Sequence, residues 1–167
     1  MLSGAINMAV SITTNIYRLL QDSKRLRRDA LSGKGFGYRP YISVWVLLTK
    51  YTKENFDRQQ SPDGVAWKPM SDTTRTIRER KGFSPEPLLQ RSGDLLRSLI
   101  EPKKGSEFDF INKTITMRST LPYAIFQQEG FGNVIARPYL GLNGRQIQDV
   151  ENTVAESIDY VLDQFFH

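Results

Sequence analysis

Cysteine is absent from this 167-residue chain. That removes disulfides, thiolate metal sites and cysteine nucleophiles together, and it fits folding in a reducing cytoplasm. Histidine occurs once, as His167, the last residue. Chain ends usually fray, so this side chain is not expected to hold the fixed geometry that acid–base catalysis or metal ligation requires. Long apolar runs are missing as well. The cleanest, Ile42-Ser-Val-Trp-Val-Leu-Leu48, contains a serine and falls well short of the roughly 18 residues of a membrane span, so the chain reads as soluble. No basic stretch precedes an apolar segment at the amino terminus, where the first positive charge is Arg18. A cleaved signal peptide is not expected, and without secretion the Asn112-Lys-Thr114 sequon has no meaning.

What is present is 39% apolar and 11% aromatic residues, enough for one compact core with an extended arm beside it. The net charge of +5 is unevenly spread. Residues 1–60 carry ten Lys/Arg against four Asp/Glu, residues 61–120 eleven against eight, and residues 121–167 two against six. Polarity of this kind either is a solvated surface or lets opposite ends of neighbouring subunits attract, and head-to-tail contacts close into rings.

Helical spacing runs from Ile6 to Ala30 through Ile12, Ile16, Leu19 and Leu26, and Gly33, Gly35 and Gly37 end it in an elbow with Pro40 beyond. The chain therefore divides into a helical arm at 1–40 and a body at 41–167. In the body, Tyr41, Trp45, Leu48, Thr52 and Phe56 predict a helix over 41–60, and Pro62-Asp63-Gly64 predicts a turn. Ser71-Asp-Thr-Thr74 opens a short charged helix or a loop over Thr74 to Arg80. Residues 81–87 read as loop, and Leu88 to Ile100 as a helix broken at Gly93.

Phe108-Asp-Phe-Ile and Lys113-Thr-Ile-Thr-Met-Arg118 alternate on either side of Asn112, the signature of a β-hairpin. Tyr123 to Phe126 is a short element of open type. Val134 to Leu142 reads as a strand with Pro138 at an edge or bulge, and Ile147, Val150, Val154, Ile158, Val161, Leu162 and Phe165 trace a last amphipathic helix. The expected class is α+β: a small, mostly antiparallel sheet with a hairpin, flanked by long helices at both ends.

Few constellations carry chemistry. Gly33-Lys-Gly-Phe-Gly37 lacks the spacing of a phosphate loop and follows a helix instead of a strand. Asp63 with Glu101 and Lys103 imitates the carboxylate–lysine set of a small Mg²⁺-dependent nuclease, but Asp63 lies in a turn and Pro102 disrupts the strand that would present the other two. Lys24-Arg-Leu-Arg-Arg28 puts four positive charges in five residues, dense enough to neutralise phosphates without reading sequence. The same run could meet the acidic positions Glu151, Glu156 and Asp159 of a neighbour, or remain a solvated face. Trp67 reads as a core anchor for the preceding turn or as an interface hot spot. Arg137, with its planar fork, reads as a clamp on carbonyls or a carboxylate.

Taken in order, four blocks resemble the phage virion morphogenesis family, the tail-completion proteins of Mu-like and related contractile-tailed phages. They are Phe56 with Pro62-Asp63-Gly64-x-x-Trp67-x-Pro69 and Ser71; Leu89-x-x-Ser-Gly93-x-Leu95-x-x-Ser98; Tyr123-Ala124-x-x-x-Gln128-x-Gly130; and Ala136-Arg137-Pro138-x-Leu-Gly141. Gln127 stands where the family often has histidine, and Ile135 where it has proline. The resemblance implies a structural virion protein of the neck, a ring-forming, hexameric subunit type that caps the finished tail. It would join that tail to the portal-side connector around the DNA channel, with the tail terminator as its other neighbour. It implies no catalytic residues and no cofactor.

Overall fold

The computed structural model describes residues 10–12, 39–101, 106–109 and 114–166. Helix α1 (Arg39–Arg58) is the spine of the body. Pro40 sits in its first turn, where a missing N–H removes no helical hydrogen bond, so the helix starts through this proline instead of after it. Tyr41, Trp45, Leu48, Thr52 and Phe56, the stripe expected from the spacing, are all buried, together with Val44, Tyr51 and Asn55. Phe56 has no exposed surface, and burial of a side chain this size stabilises by roughly 1.5–3 kcal/mol.

Three short helices follow. Helix α2 (Asp72–Arg80) begins at Ser71, whose hydroxyl accepts from the Thr74 amide at 3.3 Å, and it buries none of its residues. Helix α3 (Asp94–Ile100) follows Gly93, which has φ +73°, and buries Leu95, Ser98 and Leu99 against the core. Strands β2 (Ser106–Asp109) and β3 (Thr114–Met117) lie before α4 (Ala124–Glu129). The last element is α5 (Gly144–Phe166), which packs along α1 through Val150, Val154 and Ile158. Ile147, one turn ahead of Val150, stays exposed although it continues the same stripe.

Helix α5 opens with a reciprocal cap. Asn143 Oδ1 accepts from the Gln146 amide, and Gln146 Oε1 accepts from the Asn143 amide, each at 2.9 Å. This is the Asn-x-x-Gln form of the capping box, and the four residues Asn143-Gly-Arg-Gln146 announce it in the sequence. Farther along, the Tyr51 hydroxyl donates to Asp149 Oδ2 at 2.6 Å and ties α1 to α5. Burial, the Asp149 hydrogen bond and the nearby carboxylate charges push the Tyr51 pKa up to about 12.

Strand β3 pairs antiparallel with β2, Phe108 opposite Ile115, and on its other edge with β1 (Val10–Ile12), Ile12 opposite Ile115. Alternation turns Ile115 and Met117 inward, and Thr52 on α1 donates to Met117 Sδ at 3.4 Å. The connection at 110–113 lies outside the described residues. The class is α+β.

Three expectations change. Val10–Ile12 is a strand and not part of a helix. Its two β-branched residues flank Ser11, a pattern that fits a period of two as well as one of 3.6, and the edge of β3 offers backbone partners. The rest of the helix expected over 6–30, and the glycine elbow, lie outside the described residues. Residues 88–93 form turns, with Leu89 at φ +61°, so the helix starts only at Asp94. Finally, 134–142 is not a strand beyond one isolated bridge, Phe131 to Val134, because its amides bond elsewhere.

Candidate functional site

Those amides reach α4. The Arg137 N–H donates to Gln127 O at 2.7 Å, and Gln128 Oε1 accepts from the amides of Tyr139 and Leu140 at 3.0 and 3.1 Å. Gln128 Nε2 returns a bond to Leu140 O at 2.9 Å. One glutamine thus does for this irregular segment what a neighbouring strand would do, and Pro138, which has no N–H, sits where none is needed. The Tyr139 hydroxyl closes the link by donating to Ala124 O at 3.0 Å.

The other side of the segment meets the turn at 61–70. The Gly64 amide donates to Ser61 O at 2.9 Å to form the turn, with Gly64 at φ +81°, a conformation that favours glycine. Ser61 Oγ accepts from the Val65 amide at 3.2 Å. The side-chain bond of this turn is therefore made by Ser61 and not by Asp63, which is exposed. Trp67 is buried, its ring edge-on to Phe56 with centroids 5.5 Å apart, and its Nε1–H donates to Pro138 O at 2.8 Å. Arg137 reaches back: Nε donates to Lys68 O at 2.8 Å and Nη2 to Pro69 O at 3.1 Å. Asn143 Nδ2 adds a bond to Pro62 O at 2.8 Å.

Beside this junction, between α2, the turn at 88–92, the start of α4 and residues 133–137, lies an open cleft of about 390 Å³. Buried Met70, Leu88 and Leu95 contribute its apolar lining. Its charged lining residues are Arg78, Arg91 and Arg137, with no carboxylate among the described lining residues. Arg78 donates to Pro85 O at 3.3 Å, and the Arg91 guanidinium lies 5.2 Å from the Phe83 ring centroid. Burial first, and the like charge of Arg78 second, lower the Arg137 pKa, while Glu86 opposes the shift. Burial chiefly, with Asp94, raises that of Tyr123, which also lines the cleft.

The structure brings Asp63, Gly64, Trp67, Tyr123, Ala124, Gly130, Arg137 and Pro138 into this junction and its rim, whereas Gly93 caps α3 beside it and Leu95, on α3, lines the cleft. Gly130 has φ +79°, and a Cβ there would lie 3.0 Å from both Val134 O and the Ala136 amide, so only glycine lets α4 turn back onto 134–136. Glu151, Glu156 and Asp159 are exposed on α5. Lys24, Arg25, Arg27, Arg28 and Lys103 lie outside the described residues. Glu101 ends α3 as its C-cap, and among the described residues no group of three or more His, Asp or Glu could hold a metal ion. Sequence reading missed the cleft, since Arg78, Arg91 and Arg137 are far apart along the chain and no local pattern joins them.

No described helix is long and apolar enough to cross a membrane. The model of the phage virion morphogenesis family matches residues 39–159. No curated protein and no solved structure is significantly similar to the chain.

Proposed function

The chain belongs to the phage virion morphogenesis family, and from that premise we propose that it is a tail-completion subunit of the neck. Its role in the virion is structural. In the proposed arrangement several copies, six on the family's pattern, form a ring that caps the finished tail below the portal-side connector. The tail terminator is its neighbour on the tail side. Residues 41–167, with the antiparallel sheet and the hairpin expected at 108–118, form the ring's body, and 1–40 forms an arm whose strand Val10–Ile12 pairs with β3 of that body. Lys24, Arg25, Arg27 and Arg28 face packaged DNA or an adjoining subunit. Assembly takes place in the host cytoplasm.

One observation carries this reading. Three of the four sequence blocks that carry the resemblance converge on a single junction in which Trp67, Gln128 and Arg137 engage backbone groups, and the fourth forms α3 beside it. Their side chains hold shape through bonds to backbone groups, as suits a subunit that must present a rigid body to neighbours.

The test is a phage carrying a stop codon early in this reading frame. DNA-filled heads and full-length tails should accumulate separately, and purified chain added to them should restore joined particles. Joined, infectious particles that lack the chain would refute the role, and so would a map of the intact particle that places it away from the neck.

A further inference from the structure

Two surfaces of this molecule carry clustered charge of opposite sign, and they share no residue. The first is the cleft of Arg78, Arg91 and Arg137. Its surroundings are apolar and open to solvent. Tyr123, Val134 and Ile135, which line it, are 42%, 38% and 38% exposed, and beyond them Phe126 and Phe131, 40% and 71% exposed, pack as a tilted pair with centroids 5.3 Å apart. Exposed aromatics beside arginines are the composition enriched at protein interfaces and at their hot spots.

The second surface is the outer face of α5. Val150, Val154, Ser157 and Ile158 point inward, which at 100° per residue leaves Glu156, Asp159 and Asp163 together on the opposite side. All three are exposed, and none has an ion pair among the described residues. Like charges at spacings of three and four along a helix destabilise it slightly. A partner that supplies positive charge would remove that cost.

We propose that the arginine cleft receives the acidic outer face of α5 from a second copy of this chain. Carboxylates of Glu156, Asp159 and Asp163 would enter the cleft mouth, with the apolar rim covering the helix flanks. The occupant is a second copy because this chain's own α5 is the described surface whose charge complements the cleft. None of the cleft's lining residues belongs to α1 or α5, and among the described residues no ion pair joins the two surfaces. Contact between two different patches is heterologous, and heterologous contacts repeat into a ring or an open filament. The inference deepens the ring reading and rests on it in requiring that the chain self-associates. It also leaves the basic run at 24–28 to the DNA channel, since the acidic helix then has another partner.

Sedimentation velocity of the full chain, over a range of concentration and salt, tests it. Wild type should self-associate at low salt and dissociate as salt rises. Arg91→Glu alone, or Asp159→Lys alone, should weaken association at least about tenfold, the scale of one close charge pair. Lys53→Glu, an exposed site on α1, makes the same change in net charge as Arg91→Glu away from both surfaces and should leave association unaltered.

Mixing the Arg91→Glu and Asp159→Lys chains should restore association, because each altered surface then meets its complement on the other chain. A mixture no stronger than its components would overturn the pairing, as would variants that associate like wild type or a wild type that stays monomeric throughout. Particle assembly separates the two levels. Normal neck rings built from the Arg91→Glu chain would sink this interface and leave the ring reading intact, whereas a single copy per particle would end the ring reading itself.

Discussion

Gln128→Ala removes a side chain that makes three backbone hydrogen bonds, two accepted from Tyr139 and Leu140 and one donated to Leu140 O. Each backbone group left unpaired costs about 1–3 kcal/mol when buried. Gln128 is half-buried, so water reaches part of the site and the lower end applies, giving about 3 kcal/mol in all. For a chain of this size that corresponds to a fall in Tm of about 6–12 °C. Gln128→Met keeps most of the volume and none of the bonds, and it should cost nearly as much as alanine. Gln128→Glu keeps both accepted bonds but turns an oxygen towards Leu140 O, so it should fall between, at about 1–2 kcal/mol. Urea unfolding followed by tryptophan fluorescence reads the series, since Trp67 donates to Pro138 within the same segment. Three variants within about 0.5 kcal/mol of wild type would refute the view that Gln128 stands in for a strand.

Gly130→Ala should cost about 2 kcal/mol or more, because its Cβ would lie 3.0 Å from backbone atoms at φ +79°. Gly64→Ala, at φ +81° with open space around it, should cost only about 1 kcal/mol, and equal losses in chemical denaturation would contradict this account. Trp67→Phe keeps the ring contact with Phe56 and loses the bond to Pro138 O. A loss of about 1–2 kcal/mol with unchanged far-ultraviolet circular dichroism is expected, and no loss would mean the bond is idle. The Tyr51 pKa, raised to about 12 in the folded chain, makes the folded state bind the phenolic proton more tightly than the unfolded state does. Stability from this group is full below about pH 10 and is lost as pH rises towards 12. Tyr51→Phe should therefore flatten the alkaline side of the stability profile, and an unchanged slope would remove Tyr51 from the linkage.

Some of this was open to inspection in the sequence. Tyr41, Trp45, Leu48, Thr52 and Phe56 are close enough along the chain for one period to order them, and all five are buried on α1. Val150, Val154 and Ile158 did the same for α5. Ile147 broke the pattern, because a stripe states which residues share a side and not how far the partner helix extends. At Val10–Ile12 three residues were too few for periodicity to separate helix from strand. The segment 134–142 looked like a strand because its composition is apolar and extended, yet its hydrogen bonds run to Gln127 and Gln128, a choice no local pattern records.

The family, the α+β class, the two main helices and the turn at Pro62-Asp63-Gly64 followed from the sequence alone. Periodicity, turn chemistry and ordered motifs are short-range properties, written into neighbouring residues. The tertiary structure decided what depends on residues far apart in the chain: that Trp67 and Arg137 lock one turn onto one irregular segment, that Gln128 replaces a strand, and that three arginines line one cleft. Hydrogen bonds and charges act through space across sequence separations of up to 98 residues, as between Tyr51 and Asp149, and only the folded chain sets those distances.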